Sequence, residues 1–135
     1  MRIVLDTNVI VSGLLSDTSP PALVVDLCLS GDLTLAVDAR ILAEYADVLR
    51  RPELHLDPDD VDEFLAMTRY AEHIVASPLP LFIPDPNDLP FLEVAVAAAV
   101  DAIVTGNTKH FRVREGTLDI SILAPRQLLD RLGHG

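Results

Sequence analysis

The sequence has one cysteine, few basic residues, four histidines and no long apolar run, and each shortage removes a class of answer. A lone thiol makes no intramolecular disulfide, and Cys28, inside ALVVDLCL, reads as a buried side chain packing as a small hydrophobe. Half of the residues are hydrophobic, yet no uninterrupted stretch approaches the roughly 20 residues that span a bilayer, so no membrane partner is expected. In the opening MRIVLDTNVIVSGLL, Asp6, Thr7 and Asn8 interrupt the run where a secretory core would be continuous. The expected location is the cytoplasm. No internal repeat or low-complexity segment is present.

The shortage of positive charge is the most informative. Ten basic residues stand against 21 acidic ones, a net charge of −11. That is the wrong sign for holding nucleic acid by general electrostatic attraction. A nucleic-acid substrate must then be met at local basic patches or through bound cations. The cluster Asp57, Asp59, Asp60, Asp62 and Glu63 reads as solubility charge, and a negative surface also suits a basic partner.

What is present has the size of one domain, residues 1–135, long enough to bury roughly two thirds of its unfolded surface. Short β-like runs fall at 2–5, 33–37, 73–76, 102–105 and 120–123, separated by longer segments with helical spacing. Parallel neighbours need crossovers and helices supply them, so the pattern predicts a three-layer α/β/α sandwich around a central parallel sheet of about five strands. Punctuation agrees: Ser19, Pro20 and Pro21 open a helix that Gly31 closes, Asp38 caps one ending near Arg51, and Asp57 with Pro58 starts the next. SPLPLFIPDPND, with its four prolines, reads as a rigid connector.

Open parallel sheets bind ligands beyond the carboxyl ends of their strands. The first strand delivers Asp6, Thr7 and Asn8 there; the second delivers Asp38, with Glu44 on the following helix; the fourth delivers Thr105, Gly106 and Asn107, then Lys109 and His110. Asp85 and Asp88 stand at the start of the helix feeding the fourth strand. Each acid also has a structural reading: Asp6 and Asp38 as helix caps, Asp85 and Asp88 as a capping-box pattern around Pro86. Glu44 sits on the flank of the stripe Ile41, Leu42, Tyr45, Val48 and Leu49, where an ionised acid needs a partner. Taken together the acids say more, because two carboxylates about 4 Å apart repel by roughly 4 kcal/mol at an effective dielectric near 20 and converge only if protonated or bridged by cation. Oxygen ligands suit Mg²⁺ or Mn²⁺, which lower the pKa of bound water and neutralise a phosphodiester.

RIVLDTNVIVSGLL, ILAEYADVLRRPEL and DPNDLPFLEVAVAAAVDAIVTGNTKHF resemble, in order, the three signature regions of PIN-domain proteins, over nearly the whole chain. They look most like the bacterial subgroup described as toxin components of toxin–antitoxin systems, the VapC-like ribonucleases. The resemblance implies a Mg²⁺- or Mn²⁺-dependent endoribonuclease with one or two ions, Asp6, Glu44 and Asp88 as catalytic metal ligands, and Asn8 and Thr105 lining the pocket. The family's fourth acid falls where this chain has Asn107 followed by His110, neither a carboxylate, and Asp85 is the nearby acid able to substitute. A homodimer, an RNA substrate and a cognate antitoxin protein are implied as partners. Arg50, Arg51, Lys109, Arg112 and Arg114 adjoin the pocket as candidate RNA contacts. The alternative is a PIN fold that binds RNA or an antitoxin with weak or no cleavage. A signalling receiver domain or an aspartate-nucleophile phosphohydrolase fits less well, since the first wants an acidic pair after the first strand and the second an Asp where Asn8 stands.

Overall fold

The computed structural model describes residues 1–79, 85–111 and 120–133. Strands β1 (Arg2–Leu5), β2 (Thr34–Val37), β3 (Glu72–His73), β4 (Ala102–Val104) and β5 (Ser121–Leu123) form one parallel sheet in the order β3-β2-β1-β4-β5. Ile3 pairs with Leu35 on one side and Ala102 on the other, and Val104 pairs with Leu123. Ile3, Val4 and Leu5 are buried, as the unbroken apolar run of a central parallel strand requires. The order runs outward from β1 through β2 to β3, then restarts at β4 on the other side of β1. β1 and β4 therefore flank the topological switch point, where loops leave the sheet in opposite directions and open a crevice.

Helices α1 (Thr7–Leu14) and α2 (Pro20–Ser30) connect β1 to β2; α3 (Ala39–Leu49) and α4 (Pro58–Met67) connect β2 to β3; α5 (Leu89–Ala98) precedes β4 and α6 (Pro125–Arg131) follows β5. Local chemistry sets most boundaries. The Ser19 hydroxyl accepts from the Ala22 amide, Asp38 Oδ1 accepts from the Ile41 amide at 2.9 Å, and Asp57 accepts from the Asp59 amide at 2.8 Å. Gly31 ends α2 at φ 86°, a left-handed turn that costs glycine little. Gly13 answers a different need: a Cβ there would lie 2.6 Å from Val25 Cγ2, so its absence lets α1 and α2 pack closely. α5 packs on β1, β2 and β4 and buries Phe91, Leu92, Val94, Ala95 and Ala98.

The expected three-layer architecture with five parallel strands is present, with two local differences. The third strand is Glu72–His73 rather than 73–76: Ile74 still donates to the Val37 carbonyl at 2.8 Å, but Val75 is fully exposed, so the chain leaves the sheet edge there. α1 begins at Thr7, with Asp6 at its cap position, and the Asp6 side chain makes no capping hydrogen bond. No helix among the described residues is long and apolar enough to cross a membrane.

Candidate functional site at the switch point

β1 ends at Leu5, and the next residue, Asp6, is held in ladder register by its amide bond to the Val104 carbonyl, 2.9 Å. Its carboxylate turns toward β4. There the Thr105 hydroxyl, fully buried, donates to Asp6 Oδ2 at 2.7 Å and accepts from the Asn107 amide at 3.0 Å. One threonine thus orients the acid after β1 and the turn after β4. Asp6 itself is 8 % exposed, so its charge sits in a poorly solvated position where each hydrogen bond counts for more than in water.

Glu44 arrives from α3, half-buried, and accepts a hydrogen bond from the Thr7 hydroxyl on α1. Its neighbour Tyr45 is fully buried, meets Phe64 edge-on at 6.0 Å, and donates its phenol proton to the Leu5 carbonyl. α3 is thereby tied to the last residue of β1, and the two acids follow from adjacent positions, Asp6 after Leu5 and Glu44 before Tyr45. Burial first, then the charges of Cys28, Asp6 and Glu44, raise the Tyr45 phenol well above its ordinary value, so it stays neutral and acts as a tether.

Asn8 is exposed on the first turn of α1 and touches the turn after β4: a Cβ on Gly106 would come within 3.7 Å of Asn8 Oδ1. Asn107 lies in the same place, at the start of the 3-10 turn Thr108–His110. Lys109 is exposed on that turn. The His110 side chain, Arg112 and Arg114 lie outside the described residues.

The third region is built differently. Asp85 caps the 3-10 turn Pro86–Asp88 by accepting from the Asn87 amide at 2.9 Å, which is its structural reading. Asp88 closes that turn, stands half-buried at the cap position of α5, and makes no side-chain capping hydrogen bond. Asp38 is a cap and is also paired with Arg40 at 2.8 Å. Among the described residues no trio of His, Cys, Asp or Glu stands together in a way that would by itself hold a metal ion. The donor chemistry at Asp6 and Glu44 nevertheless suits Mg²⁺ or Mn²⁺. Mg²⁺ in particular is commonly held by one or two carboxylates and keeps several waters.

Arg50 and Arg51 fall elsewhere. They line a recess of about 250 Å³ with Leu49, His55 and Leu56, where α3 gives way to α4. Arg50 pairs with Asp62 at 3.1 Å and Arg51 with Asp47 at 2.9 Å, exposed pairs of small worth. The α3 axis carries them roughly 9–10 Å beyond Glu44 at 1.5 Å per residue.

Sequence reasoning missed Glu93. It is 4 % exposed on α5, accepts from Arg40 Nη1 at 2.7 Å and from the Leu79 amide at 2.7 Å, and so ties α5 to α3 and to the segment before residue 80. The signal was there: one acid inside LPFLEVAVAAA must find a partner if that helix is buried.

Residues 2–109 match the PIN domain family. No curated protein sequence matches the chain significantly. Among solved structures, a chain of VapBC2 from Rickettsia felis, in a crystal structure bound to a DNA fragment from the promoter of the pair, shares the fold: TM-score 0.58, 19 % identity, covering 92 % of this chain and 98 % of that one. The family match spans β1 through the turn after β4, and with it every element that builds the switch-point site: this chain belongs to the PIN domain family.

Proposed function

We propose that the chain is a metal-dependent endoribonuclease, the VapC-like toxin of a toxin–antitoxin pair, acting in the cytoplasm. PIN domains are generally nucleases, which supports phosphodiester hydrolysis as the reaction class. The observation that carries the reading is the Thr105 hydroxyl on Asp6 across β1 and β4, because it fixes a poorly solvated carboxylate in the crevice where such sheets bind ligands. Asp6, Glu44 and Asp88 are the proposed holders of Mg²⁺ or Mn²⁺, as one or two ions, with Asp85 held back by its capping role. Bound there, the ion supplies an activated water and neutralises charge on the phosphodiester. Thr105 and Thr7 keep Asp6 and Glu44 oriented, Tyr45 holds the end of β1 against α3, and Asn8, exposed beside Asn107, offers an amide donor to the substrate. Lys109 is the described basic residue on the turn beside them. The fold shared with a chain of the VapBC2 assembly supports a cognate antitoxin as partner, and a homodimer is proposed with it.

A second reading is a PIN domain that binds RNA or an antitoxin without cutting. It is favoured by one observation, that no trio of acids or histidines stands ready for metal among the described residues, together with Asn107 in place of a carboxylate. One assay separates the two. Purified protein is expected to cleave single-stranded RNA with Mn²⁺ or Mg²⁺, to stop on addition of chelator, and to lose at least about 100-fold in rate as Asp6→Asn while staying folded. Cleavage that survives in Asp6→Asn removes Asp6 from the chemistry, and RNA binding without cleavage in the wild type selects the second reading.

A further inference from the structure

Beside the switch-point site a groove of about 550 Å³ runs between α1, the start of α2, the turn after β4 and the start of α6. Asn8 and Asn107 belong to both, so the groove continues the site away from its acids. Ser12 adds a hydroxyl, Pro21 and Pro125 add rigid apolar walls, and Arg126 stands at one side. Arg126 is exposed and, unlike Arg2, Arg40, Arg50 and Arg51, enters no ion pair among the described residues. In a chain of net charge −11, an uncommitted guanidinium beside such a site is a local exception.

Resting on the nuclease reading, we infer that this groove holds a nucleotide flanking the cut in a single-stranded RNA, with Arg126 binding its phosphate. A guanidinium matches phosphate with two parallel hydrogen bonds. Pro20 and Pro21 give an apolar wall against which a base can pack, while the Asn8 amide and the Ser12 hydroxyl can reach its edges, as hydrogen-bonding groups do for unstacked bases. The volume lies within the roughly 300–1,000 Å³ of small-ligand sites, which suits one or two splayed nucleotides and not a duplex. The inference adds Arg126 and Ser12 to the RNA contacts and leaves the acids their own role.

The test is fluorescence anisotropy with a labelled single-stranded RNA oligonucleotide in chelator, so that binding is read without turnover, across a series of salt concentrations. Arg126→Ala is expected to weaken Kd about 5–10-fold and to flatten the slope of log K against log salt by about 0.7, the share of one phosphate contact on a single strand. Arg126→Lys should recover part of the loss. Ser12→Phe, which fills the groove from an exposed helix face, should weaken Kd without changing the salt slope. Arg69→Ala, at the opposite edge of the sheet near β3, should change neither. Wild-type Kd and slope in Arg126→Ala overturn the inference while the cleavage assay still stands for the nuclease reading. Binding of a duplex of the same sequence as tightly, with the same dependence on Arg126, overturns the single-strand assignment. Failure of the wild type to bind single-stranded RNA both in chelator and with Mn²⁺ present overturns it entirely.

Discussion

Along the carboxyl edge of one sheet, two pairs of acids end up in different company. Asp38, after β2, and Glu93, on α5, share a single guanidinium: Arg40 lies 2.8 Å from the first and 2.7 Å from the second. Asp6, after β1, and Glu44, on α3, each accept from a threonine hydroxyl, Thr105 and Thr7. Glu44 takes part in no ion pair among the described residues. A guanidinium bridge sets one positive charge between two carboxylates and gives each a strong donor, and the result is a strut between helices. A hydroxyl orients a carboxylate without bringing a positive charge to it, as Thr7 does for Glu44. On the proposed reading the difference separates acids that tie helices together from acids that hold a cation, and it was invisible while both pairs were only Asp and Glu near strand ends.

The comparison can be broken by exchanging what the two pairs respond to. A large effect on cation binding is expected at the orienting hydroxyl. Thr105→Val keeps the buried shape but removes the donor to Asp6 and the acceptor for the Asn107 amide, and the affinity for Mn²⁺ measured by calorimetry should fall about 10–100-fold. An unchanged affinity would mean that Thr105 only packs. Arg40→Ala should do the opposite. It strands Glu93 in the interior with the Leu79 amide as its remaining partner, and stability in urea should drop by about 2–3 kcal/mol, below the value for a fully enclosed pair because Arg40 is half-exposed. Its Mn²⁺ affinity should stay at the wild-type value, and a loss would merge the two pairs into one site.

The smallest effect belongs to an ion pair outside both. Arg2 Nε donates to Glu72 at 2.7 Å, joining β1 to β3 across β2, and this hydrogen bond, more than the Arg2 charge, lowers the Glu72 pKa from its ordinary value of 4.5. A carboxyl with a lowered folded pKa contributes stability above its unfolded value and loses it as pH falls through the folded one. Glu72→Gln should therefore lower the melting temperature slightly in the neutral range, where the pair contributes, and meet the wild-type curve as pH falls well below about 4.5. A parallel curve for the variant would show that the pair carries no pH dependence.

Much of the architecture was legible in the sequence because its signals are local. The caps at Ser19, Asp38 and Asp57 and the turn at Gly31 fall where composition puts them. The central strands announce themselves as apolar runs because both faces are covered. β3 was placed late because an edge strand two residues long is defined by its neighbour, and the apolar Val75 that suggested a longer one faces outward. Asp6 reads as a cap or as a ligand from its position alone, and the structure shows no capping bond but a partner from β4, 99 residues away. Asp85 and Asp88 look alike in sequence, yet one caps and the other does not. Glu93 and Arg126 were missed for the same reason: their meaning depends on what lies across the chain, an arginine for one and a groove for the other.

The claim on which the account depends is that the threonine-held acids bind a divalent cation and the arginine-held acids do not. Thermal melting of the wild type, Asp6→Asn and Asp38→Asn, each with and without Mn²⁺, tests it directly, since Asn still caps α3 and the third protein should fold. Ligand present at about 100 times its Kd stabilises by about 2.7 kcal/mol. The account expects that stabilisation in the wild type and in Asp38→Asn, and its loss in Asp6→Asn. Equal shifts in all three proteins, or no shift in the wild type, would contradict it.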